Sequence, residues 1–215
     1  MKPRERSRPS SSRRRRPRPE LAAAASLLLA AACATARLPA PGVAEKARAA
    51  SSWSGSLSVS VHGSELRGRS RALVAFRRPD KIRIEIPGPA GARLIAVTAA
   101  GRLVAVLPAE RAVLESAASA RELEALLGIA LAPSELMDVL LGVKPQSARS
   151  YEADWGQSLP RRVRAELGDG TRLEAKVAEA EPDVDLPKAA FEPPPCAGCR
   201  AIDATEARRL LTGGR

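Results

Sequence analysis

Lys81-Ile82-Arg83-Ile84-Glu85-Ile86 is the stretch on which the fold turns. Three isoleucines occupy one parity and three charged residues the other. Successive side chains of a strand point to opposite faces, so this segment has one apolar face and one wet face. The same alternation extends outward on both sides. Upstream, Arg77-Arg78-Pro79-Asp80 carries a turn signature, and a strand is predicted from Leu66 to Phe76, with Arg67, Arg69 and Arg71 on one parity. Before that, Leu57, Val59 and Val61 alternate with Ser56, Ser58 and Ser60, and His62-Gly63-Ser64 forms a turn. Downstream, Pro87-Gly88-Pro89-Ala90-Gly91 interrupts the ladder. Strands resume at 93–99 and 102–107 across Ala100-Gly101, with a shorter one at 111–115.

The period changes at residue 119. Leu123, Leu126 and Leu127 fit a helical stripe ended by Gly128. Pro133, Leu136, Val139, Leu140 and Leu141 mark a second helix ended by Gly142. Alternation returns at 148–155, 161–167 and 171–179, with Gly168-Asp169-Gly170 as a hairpin turn. Short strands with tight connections favour an antiparallel meander over βαβ units. The fold class is mainly β (α+β). Two architectures fit it: a curved antiparallel sheet with short helices against its concave side, or the same strands closing as a small barrel. Aromatics are few, so the core is aliphatic.

The net charge of +11 suggests nucleic acid until it is located. Residues 1–20 carry eight Arg and one Lys against two Glu, so most of the excess sits in one short leader. The rest is spread, with no zinc-finger spacing and no basic-aromatic repeat, so nucleic acid is not an expected partner. Leu21 to Ala32 is a twelve-residue uncharged apolar run. It is shorter than the roughly 20 residues a spanning helix needs and has the length of a signal-peptide core. Leu29-Ala30-Ala31-Ala32-Cys33 resembles a bacterial lipobox, with Ala30 where the commonest form has Leu. Residues 1–32 are read as a lipoprotein signal peptide and Cys33 as the lipidated residue; secretion with cleavage near Ala32, or a retained anchor, are the alternatives. Residues 33–52, with Pro39, Pro41 and Gly42, read as a flexible tether. Ala34, where inner-membrane retention would place Asp, favours the outer membrane by resemblance to a known sorting rule.

Cys196-Ala197-Gly198-Cys199 follows three prolines after the last strands. A disulfide, free thiols, or a redox or metal role are the readings; no strand-to-helix setting or second CxxC supports the last. Asp203-Ala204-Thr205-Glu206 resembles a helix-capping box, so 196–215 is a CxxC-containing tail with a short helix. His62 is the only histidine and has no imidazole partner for a metal site. Glu122 and Glu124 fit a solvated helix face better than paired acid catalysis. No nucleophile elbow or phosphate loop is present, so no enzyme activity, cofactor or metal is expected.

From Trp53 to about Pro195 the sequence resembles the family of the bacterial outer-membrane lipoprotein receptor and its soluble periplasmic lipoprotein carrier, nearest the receptor-like branch. Strand 81–86 followed by Pro89-Ala90-Gly91 resembles that branch's strand and Pro-Leu-Gly loop. Residues 121–142 resemble its pair of helices, and Asp154-Trp155-Gly156 with the hairpin 161–179 its closing strands. The resemblance implies an unclosed β-barrel over residues 53–195, with a helical lid and an apolar cavity for the acyl chains of lipoproteins. By residue correspondence, the cavity or lid residues are Leu57, Val59, Ile82, Ile84, Ile86, Leu94, Leu123, Leu127, Leu136 and Leu140. The alternative for each is a filled core. Where the receptor-like branch has a protruding leucine that serves cargo insertion, this chain has Ala90, whose methyl does not reach into lipid.

The implied function is a membrane-anchored, non-enzymatic envelope lipoprotein that binds acyl chains for outer-membrane localisation. Its partners would be membrane lipid, lipoproteins and a periplasmic carrier, with a monomer as the expected state. The competing reading is a structural or regulatory envelope lipoprotein without acyl cargo.

Overall fold

In the computed structural model, residues 37–63 and 67–213 are described, and they belong to one compact unit. The signal peptide and Cys33 lie outside the described residues. The alternating stretch 81–86 forms β3 (Lys81–Gly88), with Ile82 and Ile84 buried and the charged parity half-exposed. It pairs antiparallel on one side with β2 (Arg67–Arg77), Ile82 facing Phe76 and Ile84 facing Val74. On the other side it pairs with β4 (Gly91–Ala99), Ile84 facing Ala96 and Ile86 facing Leu94. β1 (Ser52–His62) pairs with β2 along its whole length. β5 (Arg102–Leu107) and β6 (Ala112–Ala117) extend the meander past β4.

The second run of strands, β7 (Ala148–Trp155), β8 (Pro160–Leu167) and β9 (Arg172–Pro182), joins through β9 to β1. A β-bulge interrupts that ladder: Leu57 faces Val177 and Ser56 faces Glu179, leaving Ala178 unopposed. A two-residue strand, β10 (Arg200–Ala201), pairs parallel with β6. The full order is β10-β6-β5-β4-β3-β2-β1-β9-β8-β7. The sheet is antiparallel apart from that last pair and does not close into a barrel.

Topology then places the helices. The chain leaves the sheet from β6, next to one edge, and re-enters at β7, the opposite edge. The connection therefore crosses a face, and it does so as α2 (Ala120–Leu127) and α3 (Pro133–Leu140). The Ser119 hydroxyl accepts from the Glu122 N–H at 3.2 Å and Gly128 ends α2 with φ 72°. Pro133 opens α3. Ala132 has no side chain to cap with, and Glu135 partly compensates by accepting from the Ala132 N–H at 3.0 Å. Burial drives both helices: Leu123, Leu126, Met137 and Leu140 pack into the same cluster as Leu57, Val74, Ile82 and Leu94.

Two segments outside the strands and the helical pair pack against the domain. Within the stretch read as a flexible tether, Val43–Ala49 forms a helix, α1, and Ala47 and Ala50 are buried in the main core. Flexibility is thus not a property of residues 43–50; alanine methyls let the backbone approach closely and pack. Arg37 also ties to the edge strand, its N–H donating to Asp154 Oδ1 at 3.1 Å and its carbonyl accepting from the Trp155 N–H at 3.0 Å. At the other end, Asp203 caps α4 (Ala204–Leu211), accepting from the Glu206 N–H at 2.7 Å. Ala204 and Ala207 of α4 are buried, so this tail is part of the domain's packing.

The largest core side chain, Trp53, is fully buried and stacks on Phe76, ring centroids 5.8 Å apart. Its indole N–H has no hydrogen-bond partner among the described residues. Trp53→Phe removes that unsatisfied donor, worth about 1–3 kcal/mol, while losing some packing. The two effects oppose, so the expected change in urea-unfolding stability is within about 1 kcal/mol, whereas Trp53→Ala is expected to cost about 3–5 kcal/mol.

Candidate functional site

The apolar parity of the sheet faces α2 and α3, but the two layers do not fill the space between them. A cavity of about 920 Å³ remains, partly open to solvent. That is at the upper end of the roughly 300–1,000 Å³ typical of small-molecule sites. Leu57 and Val59 of β1, Ile82, Ile84 and Ile86 of β3, and Leu127, Leu136 and Leu140 of the helices line it. Leu94 and Leu123 do not: both are fully buried in the packed core. The sequence pattern separates the inner parity from the outer one, but not a wall residue from a core residue one row away.

The wall also includes residues that the family resemblance does not pick out. Val61, Ala72, Val74, Leu173 and Ala175 line the cavity from the neighbouring strands, as do Leu126, Ile129 and Val139 from the helical layer. Apart from Ile129, in the connection between α2 and α3, all lie on the inner parity or helical stripe already legible, so register was the missing piece. A second group comes from α4, where Thr205, Leu211 and Thr212 complete the rim. The Asp203 capping signature located this helix; its docking was not legible.

The opening has a structural cause. β1 and β2 pair all the way to His62 and Arg67, but the β2–β3 ladder stops at Leu73 and Glu85. Beyond it β3 stays with β4 alone. On that side residues 67–72 of β2 therefore pair with no strand among the described residues, a free edge in that sense, and Arg67, Gly68, Arg69 and Ser70 line the cavity there. Ala90 sits exposed in the turn between β3 and β4. Arg93, at the start of β4, lines the same rim and donates to the Leu211 carbonyl at the end of α4.

The far side of the helical layer is anchored by two polar contacts. The Tyr151 hydroxyl donates to the Val139 carbonyl at 2.9 Å, joining β7 to α3. Burial holds that phenol well above its ordinary range, with Arg48 pulling the other way. Tyr151→Phe deletes the link and leaves the carbonyl without it; the expected loss in chemical denaturation is about 1–2 kcal/mol. Glu135 accepts from the Ser147 N–H at 3.0 Å and its hydroxyl at 2.8 Å, besides Ala132. Burial opposes its ionisation, but these hydrogen bonds together bring its pKa below the usual carboxylate value. A depressed folded-state pKa contributes stability above the unfolded value near pH 4.3, lost as pH falls through the folded one. The stability gap between native protein and Glu135→Gln, measured by urea unfolding, is therefore expected to be largest near neutrality and to shrink below about pH 4.

The chemistry-bearing residues singled out in the sequence lie elsewhere. His62 is exposed at the end of β1. Cys196 and Cys199 are joined as a disulfide, Cα atoms 5.5 Å apart, in the turn before β10. Among the described residues no group of three or more His, Cys, Asp or Glu is placed to hold a metal ion. No helix among them is long and apolar enough to cross a membrane.

No family model matches the chain, and no curated protein is significantly similar to it in sequence. Solved structures are distantly similar. A LolA superfamily protein from Nitrosomonas europaea is 14% identical, with a TM-score of 0.44 over 73% of this chain and 98% of that one. An uncharacterized conserved protein from Thermus thermophilus is 15% identical, with a TM-score of 0.44 over 74% and 94%. A domain provisionally named as an outer membrane lipoprotein-sorting protein, from Vibrio parahaemolyticus, is 9% identical, with a TM-score of 0.38 over 69% and 94%. These likenesses are loose, and no residue's role follows from them.

Proposed function

We propose that this protein is a non-enzymatic envelope lipoprotein, anchored through lipid on Cys33, whose β domain binds acyl chains of lipoproteins for outer-membrane localisation. The observation that carries the reading is the 920 Å³ cavity with aliphatic walls. Leaving that space unfilled forgoes the dispersion contacts that a packed core would make there. Each methylene moved from water to such walls gains about 0.8 kcal/mol, so a long chain is held without any polar contact along its length. Walls of Leu, Ile and Val suit an acyl chain, which has no directional groups to satisfy. The periplasmic face of the outer membrane is the location this reading implies, with a periplasmic carrier as the cargo's source.

Ala90 bears on a narrower point. Its exposed position in the β3–β4 turn offers only a methyl to a bilayer. That favours binding and hand-over of acyl cargo over active insertion. An envelope lipoprotein with a structural or regulatory task and no cargo is the second reading. The two separate in a transfer assay. Purified Cys33→Ser protein, free of its own lipid, is expected to accept radiolabelled lipoprotein from a competent donor carrier. No acceptance would overturn the transfer function. For the anchor, mass spectrometry of the mature amino terminus is expected to show a diacylglyceryl adduct on Cys33; an unmodified Cys33 would defeat it.

A further inference from the structure

The cavity wall is segregated by polarity. Its deep part, from β1, β3, α2 and α3, is aliphatic. Its rim, from the free edge of β2, the start of β4 and α4, holds all the charged lining residues, and every one is an arginine. Asp, Glu and Lys are absent from the described lining. Resting on the acyl-binding reading above, we infer that the site takes an amphiphile with an anionic head, its chain among Leu57, Ile84 and Leu136 and its phosphate or carboxylate at the rim beside Arg67, Arg69 and Arg93.

Three of the rim arginines, Arg69, Arg93 and Arg209, have little carboxylate charge against them. Arg69 donates to the neutral Ser58 hydroxyl at 3.1 Å. Arg93 is held by a backbone carbonyl, that of Leu211. Arg209 reaches Glu206 only at 4.0 Å, and that carboxylate is already bound by Arg200 at 2.6 Å. Parity turns the stems of Arg67 and Arg69 toward the outer face, so they flank the opening rather than fill it. At that range their charge still acts, because screening extends over about 8–10 Å at physiological salt. The low-dielectric wall behind them strengthens the field at the mouth. A head group arriving there also competes for the Arg93 guanidinium, a stronger partner for a charged oxygen than for a carbonyl.

The test is competition on the Cys33→Ser chain, using an uncharged pyrenyl-acyl alcohol as the bound fluorescent probe. Oleate is expected to displace it at about tenfold lower concentration than oleyl alcohol, the same chain without the charge. Phosphatidylglycerol should likewise exceed phosphatidylcholine. The gap should close in Arg67→Gln/Arg69→Gln and in Arg93→Gln; a gap that persists in both variants would overturn the arginine assignment. Equal displacement by oleate and oleyl alcohol in the native protein would overturn the anionic preference and leave acyl binding standing. Failure of the probe to bind would overturn acyl binding itself, and this inference with it. Displacement by inorganic phosphate alone, at the potency of oleate, would mean a free-anion site and would also overturn it.

Discussion

Gly142→Val is expected to destabilise the domain by about 3–4 kcal/mol, a large share of the 5–15 kcal/mol that holds a typical domain folded. Gly142 ends the helical layer with φ 80°, a left-handed conformation that costs an L-residue about 1–2 kcal/mol. Space is the second problem. A Cβ at Gly142 would lie 2.4 Å from Trp155 Cζ2 and 3.1 Å from Pro160 Cγ. Trp155 is buried and Pro160 opens β8, so neither yields without opening the junction of α3 with β7 and β8. Overpacking of this kind costs about 1–3 kcal/mol further. Gly101→Ala is the control. Gly101 also has positive φ, at 73°, but nothing lies within 4 Å of its Cβ position. It should cost only the backbone part, about 1–2 kcal/mol. Urea denaturation of both measures the difference; equal losses would mean that the contact with Trp155 is not tight.

Leu136→Trp is expected to weaken acyl binding about 100-fold while leaving stability unchanged or improved. Leu136 lies on α3, half-buried, with its side chain on the cavity wall. An indole there projects into the void. A ligand denied only about four methylenes of wall loses roughly 3 kcal/mol, which is about a factor of 100. The stability readout carries separate information. If the space is hollow, added volume gains contacts; if it is filled, the same substitution overpacks and costs about 1–3 kcal/mol. A destabilised Leu136→Trp domain would therefore argue for a filled core.

Much of this architecture was legible because strands report it residue by residue. The isoleucines at 82, 84 and 86 face inward as their spacing requires, and Ser119, Gly128, Pro133 and Gly142 bound the two helices. Legibility fell where burial left no period. In β4 and β5, Val97 and Val106 are buried alongside the inward parity, so alternation blurs. In α1 the buried residues are alanines in an alanine-rich stretch, and no large side chain marks a face. Openness of the sheet was not readable, because alternation is the same in an open sheet and a barrel. For the cavity, eight of the ten residues taken from the family resemblance line it, while Leu94 and Leu123 pack in the core. Depth within a layer depends on how far the sheet curves, which no local pattern encodes. The arginine rim was missed for a related reason: Arg67 and Arg69 read as a solvated strand face, and only the parting of β2 from β3 turns that edge into a mouth.

An acyl chain held between sheet and helices would be seen by calorimetry. Calorimetric titration of the Cys33→Ser chain with a long-chain fatty acid below its micelle concentration tests it most directly. Saturable binding of about one ligand per chain is expected, with the negative heat-capacity change of apolar burial, and its loss in Leu136→Trp. Absence of saturable binding to the native wall, or binding that Leu136→Trp leaves untouched, would contradict it.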